Sequence, residues 1–107
     1  MTPREPHKIV PLEGEIDLHV SPRIAAELRA LIDEEPEKLL IDLSKVTYID
    51  SSGLAALIEG MREVEAYGGK FYLIGMQKST EIIFQTSGLD QAFRIFPDAA
   101  TALAANR

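Results

Sequence analysis

Apolar residues along this chain switch between short runs and helical spacing. Lys8-Ile9-Val10-Pro11-Leu12 reads as a strand, and Glu13-Gly14-Glu15-Ile16 continues it after a bend. Pro11 has no N–H to give to a ladder, which places this strand at a sheet edge or on a bulge. Gly14 suits a bulge or a close approach. Ile24, Leu28, Leu31 and Ile32 then recur at i, i+4, i+7 and i+8, one face of a helix. Ser21-Pro22 supplies its start, with serine expected as N-cap and proline as the first helical residue. Asp33-Glu34-Glu35-Pro36 ends it, because proline disfavours helix in the residue before it.

Leu39-Leu40-Ile41-Asp42-Leu43 is a nearly continuous apolar run, as expected of a strand covered on both faces. Ser44 to Ile49 is expected to be a turn and approach segment leading to Asp50. Leu54, Leu57, Ile58, Met61 and Val64 mark a second helix, which Gly68-Gly69 stops. Lys70 to Gly75 is the next strand. Lys78-Ser79 opens a third helix carrying Ile82, Ile83 and Phe84, with Gly88 following it. Ala92 to Phe96 is a last short strand, and Pro97-Asp98 begins an alanine-rich terminal helix.

The order β-α-β-α-β-α-β-α, with short connections, predicts an α/β domain with a mostly parallel sheet and right-handed crossovers. Sites in such sheets lie beyond the carboxyl ends of the strands. The segments Asp17–Ser21, Asp50–Gly53 and Gly75–Ser79 are therefore expected to meet. That makes Asp17, Asp50, Ser51, Ser52 and Ser79 candidate neighbours.

The 107 residues suffice for one domain with one core, expected over residues 8–105 after a tail of residues 1–7. A net charge of −6 argues against nucleic acid and suits a partner with a basic surface. The absence of cysteine excludes disulfides and thiolate chemistry. No apolar leader and no run of membrane-spanning length is visible, so a cytoplasmic location without membrane insertion is expected.

The chemistry concentrates in Tyr48-Ile49-Asp50-Ser51-Ser52-Gly53-Leu54, where a strand runs into a helix. Backbone N–H groups are unpaired at that helix end and carry partial positive charge. A serine there can cap the helix or carry a phosphate, and local chemistry leaves both readings open. A catalytic serine would need a base. His7 and His19 are the only histidines, neither shows a relay, and the G-x-S-x-G elbow is absent. Asp17, Asp42 and Asp50 bring to mind a magnesium-binding receiver, but Asp42 lies in an apolar run and no acidic pair follows the first strand. No glycine-rich phosphate loop is present. Neither a cofactor nor a metal is expected. Gly53 stands in the first helical turn at a propensity cost of about 1 kcal/mol. Close approach of a partner, or close packing on the neighbouring strand, would account for it.

Ile49-Asp50-Ser51-Ser52-Gly53-Leu54, preceded by Gly14-Glu15-Ile16-Asp17 and followed by Gly68-Gly69, resembles the STAS domain of bacterial anti-sigma factor antagonists. Thr86-Ser87-Gly88-Leu89 and Phe93-Arg94-Ile95-Phe96 are similar to the C-terminal part of that family. The resemblance implies a small α/β fold with a four- to five-stranded, mostly parallel sheet and about four helices. It implies a binding switch, not an enzyme, with Ser51 as phosphoacceptor.

By the same resemblance, an anti-sigma factor with serine kinase activity phosphorylates Ser51. The unphosphorylated domain binds that partner and frees a sigma factor, and a PP2C-type phosphatase resets the switch. Asp17 would lie near the acceptor, and Asp50, Ser52, Gly53 and Leu54 would belong to the docking loop. Members often carry an additional strand ahead of the first one seen here. Its lack would leave an uncovered edge open to dimerisation by strand pairing. The alternative within the family is a constitutive adaptor, for instance in a lipid-transport ABC system, in which Ser51 only caps the helix.

Overall fold

The computed structural model describes residues 6–105. Along it run β1 (His7–Ile16), α1 (Ser21–Ile32), β2 (Lys38–Ile49), α2 (Ser51–Ala66), β3 (Lys70–Ile74), α3 (Lys78–Ser87), β4 (Arg94–Phe96) and α4 (Ala99–Ala104), with a 3-10 turn at Leu89–Gln91 before β4. The strands pair in the order β1-β2-β3-β4, every neighbour parallel. This is the expected α/β class, with four strands and four α-helices among the described residues.

β1 lies at an edge of this sheet, as Pro11 requires. Its register against β2 shifts between Pro11 and Glu13 and again between Gly14 and Glu15. Gly14 takes φ +80°, which only glycine adopts without strain, and so provides the second bulge. The strand begins at His7, one residue earlier than the sequence pattern suggested; the Lys38 N–H donates to the Pro6 carbonyl at 3.1 Å. Residues 1–5 of the expected tail lie outside the described residues.

β2 corrects a larger expectation. Ser44 to Ile49 is strand, not a turn, and pairs with β1 to the end. β3 accompanies β2 only from Lys38 to Asp42. Beyond that point the start of α3 serves the bare carbonyls of β2. Gln77 Nε2 donates to the Ser44 carbonyl (2.7 Å), Thr80 Oγ1 to that of Val46 (3.1 Å) and Ser79 Oγ to that of Thr47 (3.3 Å). Side chains replace a strand here, so the segment carries polar residues that read as a turn.

Smaller corrections concern element ends. Ser21 is the first helical residue of α1 and not its cap, because Val20 is already in helical conformation. The carbonyl of Asp17 takes the Val20 and Ser21 N–H groups, at 3.1 and 2.9 Å. β4 starts at Arg94 and not Ala92, since the chain is still turning from Leu89 to Gln91.

The two faces of the sheet are unequally covered. Leu39, Ile41 and Leu43 of β2 join Val10, Leu12, Ile24, Leu28, Leu57, Val64, Phe84 and Phe93 in one continuous core under α1, α2 and α3. On the other face Leu40, Tyr72 and Ile74 pack with Ala102 of α4, flanked by Phe96, Ala99 and Leu103. Lys38 Nζ clasps the far end of α4, donating to the carbonyls of Leu103 (3.1 Å) and Ala105 (3.3 Å). A cation suits a helix C-terminus.

Candidate functional site: the junction of β2 and α2

β1 and β2 end side by side at Ile16 and Ile49. Both side chains are buried, which fixes the next residue, Asp50, at the sheet end. The Asp50 N–H donates to the Ile16 carbonyl at 3.0 Å. Its backbone is extended (φ −98°, ψ −175°), the conformation of a residue that precedes a helix.

The expected serine cap is here a carboxylate cap. Asp50 Oδ1 accepts from the N–H of Ser52 (2.9 Å), the N–H of Gly53 (3.1 Å) and the hydroxyl of Ser52 (2.6 Å). The Ser52 hydroxyl first, then the Gly53 N–H, hold the Asp50 carboxyl below the usual carboxylate range against the opposing effect of desolvation. An ionised oxygen one residue before the helix is the stronger acceptor, and Ser52 becomes a donor to it.

The two hydroxyls are thereby separated. Ser52 is half-buried and bonded. Ser51 is the first residue of α2 and exposed, and its hydroxyl makes no hydrogen bond among the described residues.

Asp17 joins the same junction. It directly follows Ile16, whose carbonyl takes the Asp50 N–H. Its own carboxylate takes the His19 N–H at 3.0 Å. Gly53 is buried in the angle between β1 and α2, and Leu54 packs in the main core. The Leu54 side chain therefore anchors the loop from beneath and is not on its exposed surface. Ser79 is bonded to Thr47, three residues short of Asp50. His7 lies at the opposite end of β1, roughly 30 Å away at about 3.3 Å per residue.

Two neighbours were not singled out from the sequence. Leu18, in the loop after β1, is 70% exposed, and Tyr48, two residues before Asp50, is 45% exposed. An isolated apolar residue in a polar loop, such as Leu18, is the only hint the sequence offered. The segments Asp17–Ser21 and Thr47–Leu54 hold two carboxylates and no lysine or arginine. Among the described residues no three carboxylates or imidazoles converge as a metal ion would need. No helix there is long and apolar enough to cross a membrane.

The family model described as the STAS domain matches residues 1–102. An anti-sigma F factor antagonist of Lysinibacillus sphaericus is 33% identical over 82 residues, 76% of this chain and 70% of that protein. The crystal structure of an anti-sigma factor antagonist from Mycobacterium paratuberculosis superposes with a TM-score of 0.82 at 27% identity, over 95% of this chain and 86% of the other. The Bacillus cell fate determinant SpoIIAA in its phosphorylated form superposes with a TM-score of 0.71, also at 27% identity, over 100% of this chain and 96% of that one. By this match over nearly the whole chain, the chain belongs to the STAS domain family, among relatives that are anti-sigma factor antagonists.

Proposed function

We propose that this domain is a protein-binding switch controlled by phosphorylation of Ser51. Unphosphorylated, it binds an anti-sigma factor that is also a serine kinase and so releases a sigma factor. The observation that carries this reading is the division of labour at the α2 start. Asp50 does the capping, so the Ser51 hydroxyl is exposed and uncommitted at the tip of a rigid junction. Leu18, in the loop after β1, and Tyr48, two residues before Asp50, add exposed apolar surface.

In the transfer, the Ser51 oxygen bonds to the γ-phosphorus of ATP as the bond to the bridging oxygen breaks and ADP leaves. The hydroxyl proton passes to a base of the kinase. Asp50 is a poor candidate for that base, because its bonds hold its carboxyl acidic. The phosphate adds about −1.5 to −2 charges at neutral pH beside Asp17 and Asp50. An interface closed over them would leave that charge unpaired. A PP2C-type phosphatase then restores the binding form.

The test is mass spectrometry after incubation with the cognate kinase and ATP. One added phosphate that maps to Ser51 and is absent in Ser51→Ala supports the reading. A domain that remains unmodified while binding its partner equally well as Ser51→Asp would be a constitutive adaptor.

A further inference from the structure

Helices α1, α2 and α3 pack on one face of the sheet and α4 on the other. The chain therefore turns to opposite faces after the neighbouring strands β3 and β4. In open α/β sheets such a divergence opens a crevice beyond the carboxyl ends of the two strands, and ligands bind there. After β1 and β2 the chain turns to the same face, so the Ser51 junction lies at no such point. The crevice between β3 and β4 is a cavity of about 420 Å³, within the range of small-molecule sites. Gly75, Met76 and Glu81 line it from the β3–α3 side, and Ile95, Phe96 and Pro97 from the β4–α4 side. Met76 and Ile95 pack on the main core, and Phe96 on the small cluster under α4. The two walls are tied together. The Gly75 N–H donates to the Phe96 carbonyl at 3.2 Å, and the Phe96 ring stands edge-on to the buried Tyr72.

We propose that this cavity binds a small organic cation with an aromatic body, of the arylalkylamine class. Its apolar side chains suit a ring, which gains from contact with Phe96 and with the Met76 sulfur. Among the described residues Glu81 is the only charged side chain in the lining. Its carboxylate has no ion-pair or hydrogen-bond partner among them. Glu81 stands in the first turn of α3, where it offsets the partial positive charge of the helix start. An ammonium group would gain from that carboxylate, and an anion of the same shape would be repelled. The net charge of −6 biases the whole surface the same way. The site is separate from Ser51 and does not rest on the phosphorylation proposed there.

The test titrates the full chain with three probes that share one ring and differ in charge: phenethylamine, phenethyl alcohol and hydrocinnamate. Backbone amide shifts are followed by NMR at neutral pH. Phenethylamine is expected to give saturable shifts at Gly75, Met76, Ile95 and Phe96, with a dissociation constant of about millimolar, as suits so small a ligand. It should bind about threefold more tightly than the alcohol, the scale of one solvent-facing ion pair. Hydrocinnamate should bind most weakly. Glu81→Gln changes an exposed side chain and removes only the charge. It is expected to keep the affinity for the alcohol and to erase the advantage of the amine. Absence of saturable shifts at these positions, or equal affinity for amine and carboxylate, would overturn the proposal. So would an amine preference that survives in Glu81→Gln.

Discussion

Ile16 and Gly53 approach so closely that no side chain fits between them. A β carbon on Gly53 would stand 2.8 Å from Ile16 Cγ2 and 3.1 Å from the Ile16 carbonyl oxygen, and 2.7 Å from Ile49 Cγ1. The first turn of α2 is thus seated directly on the ends of β1 and β2. Gly53→Ala would gain about 1 kcal/mol in helix propensity but would force that contact apart at a cost of about 1–3 kcal/mol. We expect net destabilisation by urea denaturation, with disturbed amide shifts at Ile16 and Asp50. A more stable Ala variant would show that the junction yields freely.

Thr80 tests the way α3 finishes the sheet. It is fully buried, and its hydroxyl is bonded to the Val46 carbonyl. Thr80→Val keeps the shape and strands that carbonyl, a loss of about 1–3 kcal/mol. Ser79→Ala removes an exposed partner of Thr47 and is expected to cost less than about 0.5 kcal/mol. Equal effects in thermal melts would contradict the role given to α3.

Acid should act through the two carboxylate caps. Asp50 at α2 and Asp98 at α4 both have carboxyls held below the ordinary 3.8, Asp50 chiefly by the Ser52 hydroxyl and Asp98 chiefly by the Thr101 N–H. A carboxyl whose value is depressed on folding stabilises fully above its unfolded value. That contribution fades as pH falls through the folded value. The window therefore lies below about pH 4. Melting temperatures measured from pH 7 to pH 2 should fall less steeply over that window in Asp50→Asn and Asp98→Asn than in the wild type. Parallel curves would refute this.

Binding measurements should separate the two serines. Ser51→Ala is expected to hold the anti-sigma kinase with or without ATP. Ser51→Asp should weaken binding by about tenfold or more, the scale of an unpaired charge at an interface. Ser52→Ala should instead lower stability, since it removes a donor to Asp50, while leaving Ser51 open to phosphate. Calorimetric titration against the kinase, paired with thermal melts, reads both. A Ser52 variant that lost phosphate uptake while folding normally would exchange the assigned roles.

The sequence carried the element order and the placement of the junction, because apolar period and breakers such as Pro36 and Gly68-Gly69 report on local structure. It misread Ser44–Ile49, whose strand pairing depends on β1 thirty residues earlier and on the side chains of Gln77, Ser79 and Thr80 thirty residues later. No local signal encodes such partners. The caps were missed for a related reason. Asp17, Ser21, Asp50 and Ser52 are all competent acceptors, and only the backbone path decides which oxygen faces the free N–H groups. Asp17 was legible as a neighbour of Asp50, because parallel strands carry their following loops to one end.

The single helix on the second sheet face gives the protein an internal gauge. Tyr72 is fully shielded, with Phe96 edge-on at 5.0 Å and Ala102 of α4 in the same small cluster, whereas Tyr48 lies open. With no tryptophan in the chain, the phenols carry the near-ultraviolet signal. Nitration of Tyr72 relative to Tyr48 would clock how often α4 lifts from the sheet. Loosening the Lys38 clasp should set that clock running faster while the serine junction, at the far end of β2, keeps its time.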